Sequence, residues 1–192
     1  MTDVTPHLFW ITSRAAGVAA LLLASVGVSL GLLMGGKLMR GRGPDLRVAH
    51  ETISIATIVA IAVHGVALLG DHFMNPSLAD ITVPFVSGYK TVWTTVGIVA
   101  GWSTIFLGVS FYARRWIGAR RWRSMHRFTV LAWWLGVIHS LGEGTDSGEI
   151  WFLAMTAIAV LPAVVLFLAR LSGAGRGSFS RTTPRSSPRP TT

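Results

Sequence analysis

The chain has 192 residues, of which 51% are apolar and 13% charged, with a mean hydropathy of +0.55, a composition that excludes an ordinary water-soluble domain and fits a polytopic membrane domain. Cysteine is absent, which excludes disulfides, thiolate metal sites and cysteine-ligated iron–sulfur clusters. The net charge of +9 sits in the gaps between apolar runs and in the tail rather than on one helix face, so it is read as membrane topology, with no nucleic-acid partner.

The first apolar run, Phe9 to Met34, lacks a basic leader and is too long for a signal peptide core, so it is expected to stay as a helix. Val48 to Leu69, Thr91 to Tyr112 and Ile150 to Leu171 also have the roughly twenty residues that cross a hydrocarbon layer about 30 Å thick. His126 to Leu141 is shorter. Only fifteen uncharged residues separate Arg127 from Glu143, so this helix is expected to begin near Arg120, in the headgroup region.

Charge supports five spans. Basic connections (Lys37, Arg40, Arg42, Arg47; then Arg114, Arg115, Arg120, Arg121, Arg123; then the tail) alternate with acidic ones containing Asp71 and Asp80, then Glu143, Asp146 and Glu149. The positive-inside rule then places the N-terminus outside and the C-terminus in the cytoplasm. Trp10, Trp93, Trp116 and Trp151 lie near segment ends, as interfacial anchors do. The expected fold is an all-α transmembrane bundle over residues 1–171, followed by a disordered basic tail, 172–192, resting on anionic lipid.

Two histidine pairs stand out against this apolar background. Thirteen residues separate His50 from His64, and twelve separate His126 from His139. Ring nitrogens are costly in lipid unless something binds them. The second and fourth spans run in the same direction, so His50 and His126 share a cytoplasmic level and His64 and His139 an outer level about 20 Å away. Facing imidazoles at two depths suit two haem b groups, each needing axial nitrogens from opposite sides, and two such sites in line form an electron path. Phase supports this only in part. Fourteen residues make about 3.9 turns, but thirteen make about 3.6, so the fourth span needs a π-bulge, a tilt or a different approach angle.

His7 and His72 are read as interfacial surface residues. Arg14, near the outer end of the first span, either snorkels to headgroups or pairs with an anion such as an outer propionate. Arg127, like Arg47 and Arg123, flanks the cytoplasmic histidines and can serve an inner propionate as well as topology. Trp133 and Trp134 are expected in packing or pocket walls. Gly17, Gly27, Gly31, Gly97, Gly101 and Gly108 are expected to let helices approach closely. No hydrolytic constellation emerges: Glu51 beside His50 and Asp71 beside His72 point about 100° apart on a helix.

The four-histidine spacing resembles the ferric reductase-like transmembrane domain shared by ferric reductases, NADPH oxidases and the haem-binding subunit of the periplasmic methionine sulfoxide reductase system. Trp10, Arg14 and Gly17, the stretches Leu69-Gly70-Asp71-His72 and Ile81-Thr82-Val83-Pro84-Phe85, the run Trp122 to Arg127 and Gly142-Glu143-Gly144-Thr145-Asp146 are similar to its bacterial members, over roughly residues 10 to 170. The resemblance implies a b-type cytochrome subunit in a cell membrane, by analogy a bacterial inner membrane. Two features depart from that family: five spans instead of the usual six, and no Gly-x-Gly-x-x-Gly or soluble module after the last span. Electrons are therefore expected from a separate cytoplasmic flavoprotein, a quinone, or FMN or FAD bound loosely or by a partner. The expected acceptor is ferric iron, oxygen or an extracytoplasmic protein. Two alternatives are a monohaem subunit, quinone- or flavin-fed, of a periplasmic reductase system and a non-redox helical membrane protein whose histidines bind a metal or only pack.

Overall fold

The computed structural model describes residues 7–35 and 43–172, and the expected basic tail and most of the first basic connection lie outside them. The described residues form eight helices: α1 (Leu8–Gly35), α2 (Gly43–Leu68), α3 (Leu78–Thr82), α4 (Thr91–Val109), α5 (Arg114–Ile117), α6 (Ala119–His126), α7 (Thr129–Glu143) and α8 (Ile150–Leu171). Four of them are long and apolar enough to cross a bilayer, namely α1, α2 from Pro44, α4 and α8. The fold is an all-α polytopic helical bundle.

The bundle is organised around two antiparallel pairs, α1 with α2 and α4 with α7. α1 also packs against α7 and α8, and α2 touches α4 lightly. By contrast, α2, with His50 and His64, makes no extensive backbone contact with α6, which ends in His126, or with α7, which carries His139. Where α1, α7 and α8 meet, Leu21, Trp133, Val137, Phe152 and Ala163 form the buried core. Small residues line the close approaches, as association in lipid requires. Large apolar side chains such as Val66, Phe106 and Ile158 turn outward.

Ser25 is a matched polar group inside this core, whereas Thr156 Oγ1 on α8 is buried without a partner. Ser25 is fully buried; its hydroxyl donates to the Leu21 carbonyl at 2.8 Å and accepts the Trp133 indole N–H at 3.0 Å. This ties α1 to α7 midway between the two histidine levels.

The fourth apolar segment corrects an expectation. Instead of one helix from Arg120 onward, α6 ends at His126 and α7 begins at Thr129. Across the junction Phe128 N–H donates to the Met125 carbonyl at 2.9 Å and Val130 N–H to the Arg127 carbonyl at 3.4 Å, both three residues back. Such a 3₁₀ step turns about 120° per residue instead of about 100°. The overwinding rotates His126 toward the face of His139. A π-bulge would underwind the chain and carry the two histidines further apart in phase.

Between α2 and α4 the chain folds back on α4. Ser77 caps α3 reciprocally with Asp80, whose carboxyl these hydrogen bonds hold below its usual range. Further along, the Phe85 amide donates to Thr95 Oγ1 at 2.9 Å, and the Trp102 indole N–H donates to the Thr82 carbonyl at 2.9 Å.

Ala163 has no exposure, whereas Ile158 on the same helix is 75% exposed. Ala163→Leu should destabilise the bundle by about 1–3 kcal/mol through overpacking. Ile158→Leu should leave the thermal midpoint in detergent unchanged.

Candidate functional site

The four histidines meet in the pairs that their depths imply. The ring centres of His50 and His126 lie 6.2 Å apart with planes at 89°, and those of His64 and His139 lie 6.3 Å apart with planes at 69°. Along α2 the two levels are separated by about 21 Å.

Each ring is held from behind. His64 Nδ1–H donates to the Ser13 carbonyl at 2.8 Å, His50 Nδ1–H to the Gly27 carbonyl at 3.0 Å, and His139 Nδ1–H to the Trp93 carbonyl at 2.9 Å. Ser13 Oγ adds a second tie at the outer level, 3.0 Å from His64 Nδ1 and donating to the His64 carbonyl at 2.9 Å. A hydrogen bond at Nδ1 fixes the tautomer and leaves Nε2 with a free lone pair on the other side of the ring. Among the described residues, no hydrogen bond occupies Nε2 of these four histidines.

The acceptor carbonyls share one local design. Four residues beyond each, on the same helical face, stands a glycine: Gly17 after Ser13, Gly31 after Gly27, and Gly97 after Trp93. A methyl group added at Gly17 would come within 3.0 Å of the His64 ring, at Gly31 within 3.4 Å of His50, and at Gly97 within 2.5 Å of His139. The missing side chain opens a notch that admits the imidazole and bares the carbonyl one turn back. These glycines therefore seat the rings, a more specific task than the helix approach expected of them. Gly27 adds its carbonyl to its packing role, whereas Gly101 and Gly108 meet only Ile61 and Ile58.

His126 is held differently. Its buried Nδ1 has the Leu107 carbonyl beside it without a well-formed hydrogen bond, and its ring stacks on Trp122 with centres 4.9 Å apart and planes at 25°. The Trp122 indole N–H is likewise buried and unpartnered.

Arg14 has an anionic partner that is not evident in the sequence. Its guanidinium binds both oxygens of the Asp146 carboxylate, in the loop after α7, and stacks over Trp10 at 5.1 Å. Arg14 thereby latches the N-terminal end of α1 to the C-terminal end of α7. Arg127 sits exposed at the break between α6 and α7, one residue from His126. His7 and His72 are exposed, as surface residues would be.

No family model, curated protein or solved structure matches the chain. The reading of the site therefore rests on its own geometry. Fit to a haem iron is good in three respects. A metal about 2 Å from each nitrogen, with the ring radii added, requires ring centres about 6 Å apart. The backing carbonyls leave Nε2 as the ligating atom. The donor set at each level is two imidazoles, the ligand chemistry of a bis-histidine haem.

Ser13, Trp93, Trp122 and Asp146 hold the histidines or Arg14 in place, contacts that motif reading does not assign to them. Only one signal for them exists in the sequence: Gly17 and Gly31 are fourteen apart, like His50 and His64 on the neighbouring helix.

Gly97→Ala should lower unfolding stability by about 1–3 kcal/mol because the His139 ring has no room to move. Gly101→Ala, whose added methyl would lie an ordinary 3.5 Å from Ile61, should change it by less than about 0.5 kcal/mol. Asp146→Asn should cost about 1–3 kcal/mol, with Arg14→Ala adding little beyond it, since the two act as one ion pair. Thermal unfolding in detergent measures all four.

Proposed function

We propose that this chain is a haem b membrane cytochrome of the ferric reductase-like kind, carrying electrons across a cell membrane through two bis-histidine sites. The observation that carries this reading is the pair of facing imidazole sets at two levels, each separated by the span of a metal with its two nitrogen bonds. His50 and His126 would form the inner site, and His64 and His139 the outer one. Haem supplies one-electron redox chemistry to such a site. The residues supply its geometry: backing carbonyls orient the imidazoles, and the seam between α2 and α7 leaves the gap between them.

The topology that goes with this function has five spans, with α7 as the short fourth, the N-terminus outside, and a bacterial inner membrane as location. α7 measures only about 22 Å, but α6 extends its path at the cytoplasmic end with exposed arginines suited to headgroups. Arg127, exposed one residue from His126, would meet an inner propionate. Arg14, committed to Asp146, acts on the outer site through the α1–α7 latch. Electrons would enter from a quinone or a separate flavoprotein carrying FMN or FAD. They would leave toward ferric iron or an extracytoplasmic protein. A monohaem version, using the outer site alone, is favoured by one observation: the Leu107 carbonyl beside His126 makes no well-formed hydrogen bond with its Nδ1, whereas the other three rings each have one.

The purified protein should show a reduced-minus-oxidised spectrum with low-spin b-type bands, and a pyridine haemochrome assay should give about two haems per chain. His64→Ala should remove one of them and keep the other, and His50→Ala should do the same for the second. One haem per chain in the parent would select the monohaem reading. None, after expression with adequate haem supply, would overturn the cytochrome assignment.

A further inference from the structure

The connection between α2 and α4 reaches further along α4 than a surface loop would. Trp102 lies eleven residues past Thr91, the first residue of α4, and so about 16 Å along the helix. Its indole N–H nevertheless donates to the carbonyl of Thr82, the last residue of α3, at 2.9 Å. Long side chains on a helix lean back toward its N-terminus by about one turn, which puts Thr82 about 10 Å below the start of α4. From there the chain climbs beside α4. The Phe85 amide donates to Thr95 Oγ1 at 2.9 Å, and Thr91 Oγ1 donates to the Ser87 carbonyl at 2.8 Å.

Helical phase shows which flank of α4 this covers. At about 100° per residue Thr91, Thr95 and Trp102 fall within about 40° of one another, whereas Gly97, Gly101 and Gly108, which meet His139, Ile61 and Ile58, centre about 120° away. The connection therefore lies on the flank turned from α2 and α7. It is continuous there with an apolar outer surface, since Trp102 stacks on the exposed Phe106 with ring centres 5.4 Å apart.

Irregular backbone at this depth must hide its donors. Val83 N–H donates to the Ala79 carbonyl at 2.9 Å, Pro84 has no N–H, and Phe85 N–H is taken by Thr95. Every backbone donor from Val83 to Phe85 is thus paired or absent. The side chains show the opposite economy: Val83 and Val86 are exposed, and Phe85, at a φ of 67° that a bulky residue rarely adopts, is 76% exposed. Water would penalise such a surface, and acyl chains would not. Charge stays at the rim. Asp80 lines a pocket with Ser87 and Tyr89, whose carbonyls are bonded to Thr91 and Thr94 in the first turn of α4.

We propose that residues 78–86 form a re-entrant segment buried in one leaflet of the bilayer, whose exposed apolar face is an interaction surface for phospholipid acyl chains. In the topology above, that leaflet is the outer one. The inference goes beyond the cytochrome reading and stands with or without haem.

The chain has no cysteine, so one introduced cysteine carries one nitroxide spin label. In phosphatidylcholine vesicles, power-saturation electron paramagnetic resonance compares collisions with oxygen, which concentrates among acyl chains, and with a nickel chelate, which stays in water. Labels at Val83→Cys and Phe85→Cys should match the oxygen-to-nickel ratio of a label at Ile158→Cys, which lies about 12 Å into α8 with its side chain outward. They should exceed several-fold the ratio at Glu149→Cys, an exposed position at the start of α8. If one of the two variants does not fold, the other decides alone. Ratios equal to that of Glu149→Cys overturn the proposal, making the connection an aqueous loop whose apolar side chains face another protein.

Discussion

A ring nitrogen placed in lipid must be bonded to something, and in this molecule the something is a helical carbonyl. Most of the bundle follows from meeting that demand. The carbonyl of a helical residue is normally crowded by the side chain one turn along, so a glycine has to stand there. Glycine in turn lets the neighbouring helix come close enough for the imidazole to reach. Helix proximity, ring orientation and the choice of free nitrogen are thus set together, by Ser13 and Gly17, by Gly27 and Gly31, and by Trp93 and Gly97.

The energetic logic differs from that of a soluble core. Burial of apolar area does little to hold helices together when their surroundings are also apolar. Small residues at Ala20, Ala100, Ala132 and Ala163 give close packing, and a few polar links stitch the helices: Trp133 to Ser25 between the two histidine levels, and Arg14 to Asp146 at the N-terminal end of α1. Outward-facing residues such as Phe106 and Ile158 need only be apolar, which leaves sequence information concentrated on the inner faces.

Much of this is legible in the sequence, for reasons that can be named. Hydropathy runs locate α1, α2, α4 and α8 to within a few residues, because the lipid core imposes a length. The partners of each histidine follow from counting residues along parallel helices. What sequence does not disclose is anything decided by backbone atoms. The acceptors for Nδ1 are carbonyls and have no residue-type signature, although the fourteen-residue glycine spacing on α1 hints at them. The break at Arg127 and Phe128 has no proline or glycine to announce it, and Asp146 is too far along the chain from Arg14 to be paired with it by spacing.

Each anchored histidine is bonded inside its own helical pair: His50 and His64 to α1, and His139 to α4. Among the described residues, no imidazole hydrogen bond crosses between the α1–α2 hairpin and the α4–α7 unit. A chain emerging from the ribosome would therefore complete one half of both sites, with its rings already oriented, before the other half is synthesised. Assembly then reduces to closing two preset halves across a seam, with each histidine pair completed only when the halves meet.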